Sequence, residues 1–131
     1  GESQEGQIWE AAMFASHKKL SNLIAFTDYN KLQLDGKTED ICSIEPLAEK
    51  WRAFGWSVIE VENGNSCKEV DESITLAKST SLPTMIILNT VKGYGVSFAE
   101  NAGVKNHSMT VSKEMFEQGL KELEEKTSGN A

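Results

Sequence analysis

The sequence predicts an α/β fold, a parallel sheet flanked by helices in three layers, on three observations. Three short apolar runs, Leu23–Thr27, Trp56–Val61 and Thr84–Asn89, have the length and composition of strands in a buried parallel sheet. The stretches between them place apolar residues at helical spacing. Turn formers punctuate the chain at Asp35-Gly36, Asn63-Gly64 and just ahead of Pro83. Strand, helix, strand, helix, strand with right-handed crossovers makes a three-stranded parallel unit.

In chain order, Gly1–Gly6 reads as a glycine-bearing turn feeding a helix from Gln7 to Lys19. Good helix formers dominate it, with Ile8, Ala11, Ala12 and Ala15 on one flank and Trp9, Met13 and Phe14 on another. A helix apolar nearly all round is expected to be buried on several sides. Lys18 and Lys19 near its end suit the dipole, and His17 there reads as a surface or capping residue. Leu23–Thr27 is read as a strand buried on both faces. Lys31 to Asp40 is an excursion with a turn at Asp35-Gly36. Ser43 is expected to cap a helix from Glu45 or Pro46 to Phe54, which Gly55 ends.

Ser66 and Glu69 have the form of a capping box for a helix from Cys67 to Lys78, with Val70, Ile74 and Ala77 on one face. Lys92 to His107 reads as a long glycine-bearing loop, a length usually kept for function. Ser112 is expected to cap a last helix running through Leu123, after which Glu124–Ala131 reads as a flexible tail. With no internal repeat or linker, residues 1–131 are read as one domain.

Composition narrows the function. The 131 residues fit one domain that buries roughly two thirds of its unfolded surface. A net charge of −7 argues against a nucleic-acid surface, and Arg52 is the sole arginine. A small anionic cofactor remains compatible, because local dipoles and a bound cation can hold it. No run approaches the ~20 apolar residues of a membrane span, and the start lacks a signal-peptide pattern. Cys42 and Cys67 lack metal-like spacing. They read as two thiols of a cytoplasmic protein, with a disulfide as the alternative.

The chemistry concentrates in the first thirty residues. A helix N-terminus offers unpaired N–H groups and partial positive charge to a phosphate. The strand Leu23–Thr27 leads into Asp28-Tyr29-Asn30, oxygen ligands at the carboxyl end of a sheet, where open α/β folds bind cofactors. Together they suggest an anion with a hard cation, a Mg²⁺-diphosphate.

These residues resemble the thiamine-diphosphate motif of transketolases, Gly-Asp-Gly followed some two dozen to thirty residues later by Asn. Gly1 resembles the second glycine, and 28 residues separate it from Asn30. The string from Glu5 to Ala15 (EGQIWEAAMFA) is similar to the N-terminal half of transketolase, especially of forms split into two subunits. Further matches are Asp35-Gly36, Glu45–Trp56 and Thr90–Val96, so the resemblance covers nearly the whole chain. It implies that residues 1–131 are the later part of the diphosphate-binding domain. The motif's metal-binding Asp precedes Gly1 in the family and has no counterpart here.

The resemblance carries roles onto particular residues. Asn30 becomes a metal ligand through its side-chain oxygen and a neighbour of the diphosphate; a turn-forming Asn is the alternative. Leu32, two residues on, offers its carbonyl to the metal. Gly1 lets the backbone approach the diphosphate. Leu34 resembles the apolar residue packed on the cofactor's rings, though a core leucine looks the same. Glu5 corresponds to a carboxylate at the dimer interface, and would also complement the helix dipole. His107 stands where a family histidine reaches diphosphate and substrate, as a catalytic proton carrier; the usual His-Gly is His107-Ser108 here. Gly93 and Gly95 look like turn glycines shaping that loop.

The implied activity is transfer of a two-carbon ketol unit between sugar phosphates, with thiamine diphosphate and Mg²⁺ (or Ca²⁺ or Mn²⁺) as cofactors. The implied setting is cytoplasmic carbohydrate metabolism, the pentose phosphate pathway. The implied partners are a C-terminal pyrimidine-binding subunit or domain and a second copy in a dimer or larger assembly, and this chain alone is expected to be inactive. Two alternatives stay open: another thiamine-diphosphate enzyme (1-deoxyxylulose-5-phosphate synthase or a 2-oxo acid dehydrogenase component), and a non-catalytic self-associating fragment.

Overall fold

The computed structural model describes residues 1–128. They form two compact units, Gly1–Thr90 and a second beginning at Val91, where the sequence reads as one domain. In the first unit a 3-10 turn, Glu2–Gln4, leads into α1 (Gly6–His17). Then come β1 (Ile24–Tyr29), the two-residue strands β2 (Leu32–Gln33) and β3 (Gly36–Lys37), and the short α2 (Thr38–Ile41). α3 (Leu47–Ala53), β4 (Ser57–Val61), α4 (Cys67–Ala77) and β5 (Thr84–Asn89) complete it.

The three apolar runs pair as expected. β1, β5 and β4 form one parallel sheet in that order, with Ile24 and Ser57 both opposite Thr84. β5 is central, which is why Thr84 to Ile87 are all buried. The chain passes from β1 over β5 to β4, then returns to β5. Crossovers of one hand in opposite directions put their helices on opposite faces.

Side-chain alternation confirms the three layers. Met85 and Ile87 pack with Ala12 and Ala15 of α1 and with Leu47 and Trp51 of α3. Ile86 packs with Val61 and with Ala77 of α4 on the other face. Trp9, Trp51, Phe54 and Trp56 knit the first face together: Trp9–Trp51 and Trp51–Trp56 centroids lie 5.1 and 5.0 Å apart, and Trp9–Phe54 5.5 Å. Such aromatic pairs add about 0.5–1.5 kcal/mol each beyond their buried area. Trp56 also donates its indole N–H to the Ala12 carbonyl at 2.9 Å, pinning α1 to the segment after α3.

Two stretches read as buried are partly open among the described residues. Among the described residues β1 lies at the edge of the sheet, and Phe26 is 47% exposed. α1 buries one stripe, Ala12 and Ala15, and leaves Met13 and Phe14 57% and 59% exposed. An apolar pattern shows what wants covering, not what covers it.

The caps are partly as expected. Ser66 accepts from the Glu69 N–H at 3.3 Å, but Glu69 reaches back to the Asn63 N–H at 3.1 Å rather than to Ser66. Ser43 does not cap α3. Its hydroxyl accepts from the Glu45 N–H, and the Glu45 carboxylate takes the Leu47 N–H at 2.8 Å. Gly55 ends α3 with φ of +84°, as a helix-stopping glycine should. His17 is exposed at the end of α1. Cys42 and Cys67 are exposed free thiols.

In the second unit the expected loop contains α5 (Ser97–Asn101) and a 3-10 turn, Gly103–Ser108. α6 (Lys113–Ser128) follows, with Ser112 accepting from the Met115 N–H at 3.3 Å. α6 continues past Leu123, correcting the expected tail from Glu124 as far as Ser128; residues 129–131 lie outside the described ones. Good helix formers, Glu124, Glu125 and Lys126, extend it, and the Thr127 hydroxyl donates back to the Leu123 carbonyl at 2.8 Å. Gly93 and Gly95 take φ of +78° and +100°, the turn role expected of them. No helix among the described residues is long and apolar enough to cross a membrane.

Candidate functional site

β1 ends in Asp28 and Tyr29, and the chain turns sharply at Asn30, just beyond it. The Leu32 N–H donates to the Asn30 side-chain oxygen at 2.9 Å, an Asx turn that fixes the amide's orientation. Lys31, between them, takes φ of +63°. This left-handed backbone costs a lysine roughly 1–2 kcal/mol, and the surroundings enforce it. The Lys31 carbonyl accepts from the Thr38 N–H at 3.0 Å and from its hydroxyl at 3.4 Å. The turn-forming and ligating readings of Asn30 are therefore compatible: one lone pair of its oxygen serves the turn, and the other stays available.

Gly1 comes to the same place. A Cβ built on Gly1 would lie 3.0 Å from the Gln33 Cβ, so the glycine packs on the β2–β3 hairpin that follows Asn30. Gly1 thus lies against Gln33, three residues beyond Asn30 and next to Leu32 in the chain. Leu34, at the hairpin's tip, is 61% exposed, which excludes a core leucine within the described chain. Glu5 is the residue before α1; its carboxylate takes the Gln7 side-chain amide and makes no cap bond. His107 is exposed in the 3-10 turn of the second unit.

Three features of the β1 end have no signal in the sequence pattern. Asp28 accepts from the Thr90 hydroxyl, joining the ends of β1 and β5. Tyr29 donates to Glu45. Burial, and then that bond, push the Tyr29 phenol up to about 12, while the same bond and the Leu47 N–H hold the Glu45 carboxyl below its ordinary range. The third is the strained Lys31, whose ammonium lies 5.6 Å from the Tyr29 ring centroid. Tyr29, Lys31, Leu32, Thr38 and Glu45 line a cavity of about 210 Å³. These contacts join residues far apart in sequence, and residue type alone does not announce them.

Among the described residues no three His, Cys, Asp or Glu side chains gather to hold a metal. The donor set at the turn is an amide oxygen and backbone carbonyls, which suits a hard cation that brings its own anionic ligand. The position a Cβ of Gly1 would take is filled by Gln33, so the glycine there serves the packing of the first residues on the hairpin. An amide oxygen with a free lone pair is the kind of donor that a divalent cation carrying its own diphosphate would use.

A parallel α/β sheet that gathers polar oxygens beyond its carboxyl end defines an open α/β domain of the ligand-binding kind. Residues 1–124 match the family described as "Transketolase, thiamine diphosphate binding domain", and the chain belongs to that family. It is 50% identical over 125 residues to a 6-deoxy-6-sulfo-D-fructose transketolase subunit of Clostridium sp. (strain MSTE9), covering 95% of this chain and 45% of that one. It is 42% identical to an apulose-4-phosphate transketolase subunit of Actinobacillus succinogenes, covering 95% of this chain and 45% of that one. The chain therefore spans less than half the length of these curated relatives. Among solved structures, the transketolase of Campylobacter jejuni shares the fold with a TM-score of 0.81 at 24% identity, over 92% of this chain and 18% of that one. A transketolase of Pichia stipitis gives a TM-score of 0.68 at 27% identity, over 95% and 21%.

Proposed function

We propose that this chain supplies the diphosphate-binding part of a transketolase that moves a two-carbon ketol unit from a ketose to an aldose. One observation carries the reading: Asn30 and Leu32 are locked in a turn across the strained Lys31 just beyond the carboxyl end of β1, and the hairpin that follows packs through Gln33 against Gly1. Asn30 would hold Mg²⁺ through its amide oxygen and Leu32 through its carbonyl; Ca²⁺ or Mn²⁺ would accept the same oxygens. Gly1 would give backbone to the diphosphate, and exposed Leu34 would pack on the cofactor's rings.

When bound, thiamine diphosphate supplies the carbon nucleophile and the electron sink. The chain's part is to bind, orient and exclude water, with His107 holding or passing a proton at a sugar hydroxyl. Relatives named for a sulfo-fructose and for apulose 4-phosphate support a ketose donor with a terminal phosphate or sulfonate. Their names as subunits support a pyrimidine-binding partner subunit, without which this chain would not turn over. Glu5 would sit at the contact with a second copy, and the setting would be cytoplasmic carbohydrate metabolism.

Calorimetric titration of the chain and of N30A with thiamine diphosphate, with and without Mg²⁺, tests the site. Metal-dependent heat in the parent chain, lost in N30A, is expected. Binding that ignores the metal, or survives N30A unchanged, removes Asn30 from the site. Ketol transfer from xylulose 5-phosphate against turnover of pyruvate, with the partner subunit present, separates this reading from other thiamine-diphosphate chemistries.

A second reading rests on the exposed edge of β1 at Phe26 and the uncovered Met13 and Phe14 of α1. Unpaired strand edges and apolar patches promote self-association. Concentration-dependent sedimentation without cofactor binding would favour it.

A further inference from the structure

The second unit carries a grip that neither the sequence pattern nor the proposed cofactor site explains. α6 reaches across to the segment ahead of His107 with two side chains of opposite charge. Glu122 takes both donors of Ser97, the N–H and the hydroxyl, each at 2.6 Å. Four residues along the same helix face, Lys126 donates to the Gly95 carbonyl at 2.8 Å. Gln118, one turn back from Glu122, donates to Glu122 at 2.8 Å and to the Ser97 hydroxyl at 3.3 Å. One carboxylate thus supplies the acceptor that the first residue of α5 lacks, since α5 has no side-chain cap of its own.

The gripped segment is itself braced. The Gly95 N–H donates to Glu100 at 2.8 Å. The Asn106 side-chain amide donates to the Ala99 carbonyl at 2.8 Å. A Cβ on Gly93 would fall 2.4 Å from that amide and 2.6 Å from the Ala99 carbonyl carbon, so the glycine turn and the residues before His107 are in direct contact. α6 also packs on this segment at Gly119, where a Cβ would stand in van der Waals contact with Val96 and Phe98, at 3.4 and 3.5 Å. A continuous series of contacts therefore runs from α6 through Gly95 and Ser97 to Ala99, Asn106 and the turn bearing His107.

We infer that Glu122 and Lys126 are positioning residues that hold the 93–108 segment, and with it His107, in one place for the transfer reaction. The inference rests on the proposed role of His107. Hydrogen bonds from the Ser97 hydroxyl and N–H and from Gln118 keep the Glu122 carboxyl down to about 2, so the grip persists at every pH at which an enzyme works. Glu122 acts through geometry, because a reacting group misplaced by about 1 Å loses on the order of a hundredfold in rate.

The test uses E122A, K126M, E122Q, H107A and the double variant E122A/H107A. Hydrogen exchange of the amides in 93–108 is read on the chain itself, and transfer kinetics on the chain assembled with its partner subunit. Trp9, Trp51 and Trp56 all lie in the first unit, so an unchanged fluorescence unfolding curve shows that the variants leave that unit intact. Exchange in 93–108 should rise about tenfold or more in E122A and K126M, with partial rescue in E122Q, which keeps one oxygen acceptor. The rate of transfer should fall about tenfold in E122A with little further fall when E122A is added to H107A, the non-additivity of residues acting as a unit. Unchanged exchange in E122A, or an E122A loss as large in H107A as in the parent, would overturn the inference. An H107A enzyme with full activity would instead overturn the role of His107, and the exchange data would still decide whether the grip exists.

Discussion

The phenol of Tyr29, the last residue of β1, donates to the carboxylate of Glu45, whose other oxygen takes the Leu47 N–H at the start of α3. One carboxylate thus fastens the strand end that carries Asn30 to the helix that packs beneath the sheet.

The pH dependence of this contact follows from its direction. Tyr29 ionises near 12 in the fold against an ordinary 10, so its neutral form is favoured by folding. That contribution is fully present below pH 10 and is lost as the pH rises from 10 to 12. Glu45 runs the other way: its depressed carboxyl contributes above its ordinary range and is lost as the pH falls through its folded value. Tyr29→Phe should cost at most about 1 kcal/mol at neutral pH, because both partners are partly solvated. It should also remove the tyrosinate absorption that develops near pH 12. Retention of that late component in Y29F would assign it to another group.

The tryptophan cluster supports a sharper contrast. Trp56 and Trp51 are both buried and meet edge to face, yet Trp56 donates its N–H to Ala12 while the buried Trp51 N–H has no hydrogen-bond partner among the described residues. Replacing either by Phe loses similar ring area, but only W56F also breaks a buried hydrogen bond, worth about 1 kcal/mol. W56F should therefore unfold at lower urea than W51F, followed by circular dichroism so that the lost fluorophore does not bias the reading. Equal midpoints, or the reverse order, would refute the account.

The same residues explain how much is legible in the sequence. The strands are readable because Leu23–Thr27, Trp56–Val61 and Thr84–Asn89 are apolar runs of strand length, and Gly55 and Ser66 mark helix ends by local chemistry. Beyond Asn30 the turn at Lys31 leads into a hairpin whose Gln33 packs against Gly1, a contact that the spacing of the two residues does not itself reveal. What escapes is non-local. Ser43 has the look of a cap for α3, but Glu45 competes for that place while holding Tyr29, sixteen residues earlier. α5 is hidden in a glycine-bearing loop because its N-terminal acceptor, Glu122, lies twenty-five residues downstream. β1 and α1 read as buried because apolarity shows what needs covering and not which element covers it.

Two glycines make opposite predictions from the same substitution. Gly64 donates its N–H to the Asn89 carbonyl at 2.7 Å, and a Cβ there would lie 2.7 Å from the Leu88 Cβ and 2.9 Å from the Leu88 carbonyl carbon. Backbone does not yield as the tip of a side chain does, so Gly64→Ala must separate the loop after β4 from the end of β5, at about 1–3 kcal/mol. Gly6 opens α1, and a Cβ there would meet nothing within 4 Å. Gly6→Ala gains helix propensity and loses unfolded-state freedom, a stabilisation of about 0.4–1 kcal/mol in the chain alone. Thermal unfolding of both variants side by side checks the pair: G64A should melt below the parent and G6A above it. A G64A chain as stable as the parent would mean that the contact between the two strand ends is looser than its geometry requires. A destabilised G6A would mean that the start of α1 meets a neighbour which the open space around Gly6 does not reveal.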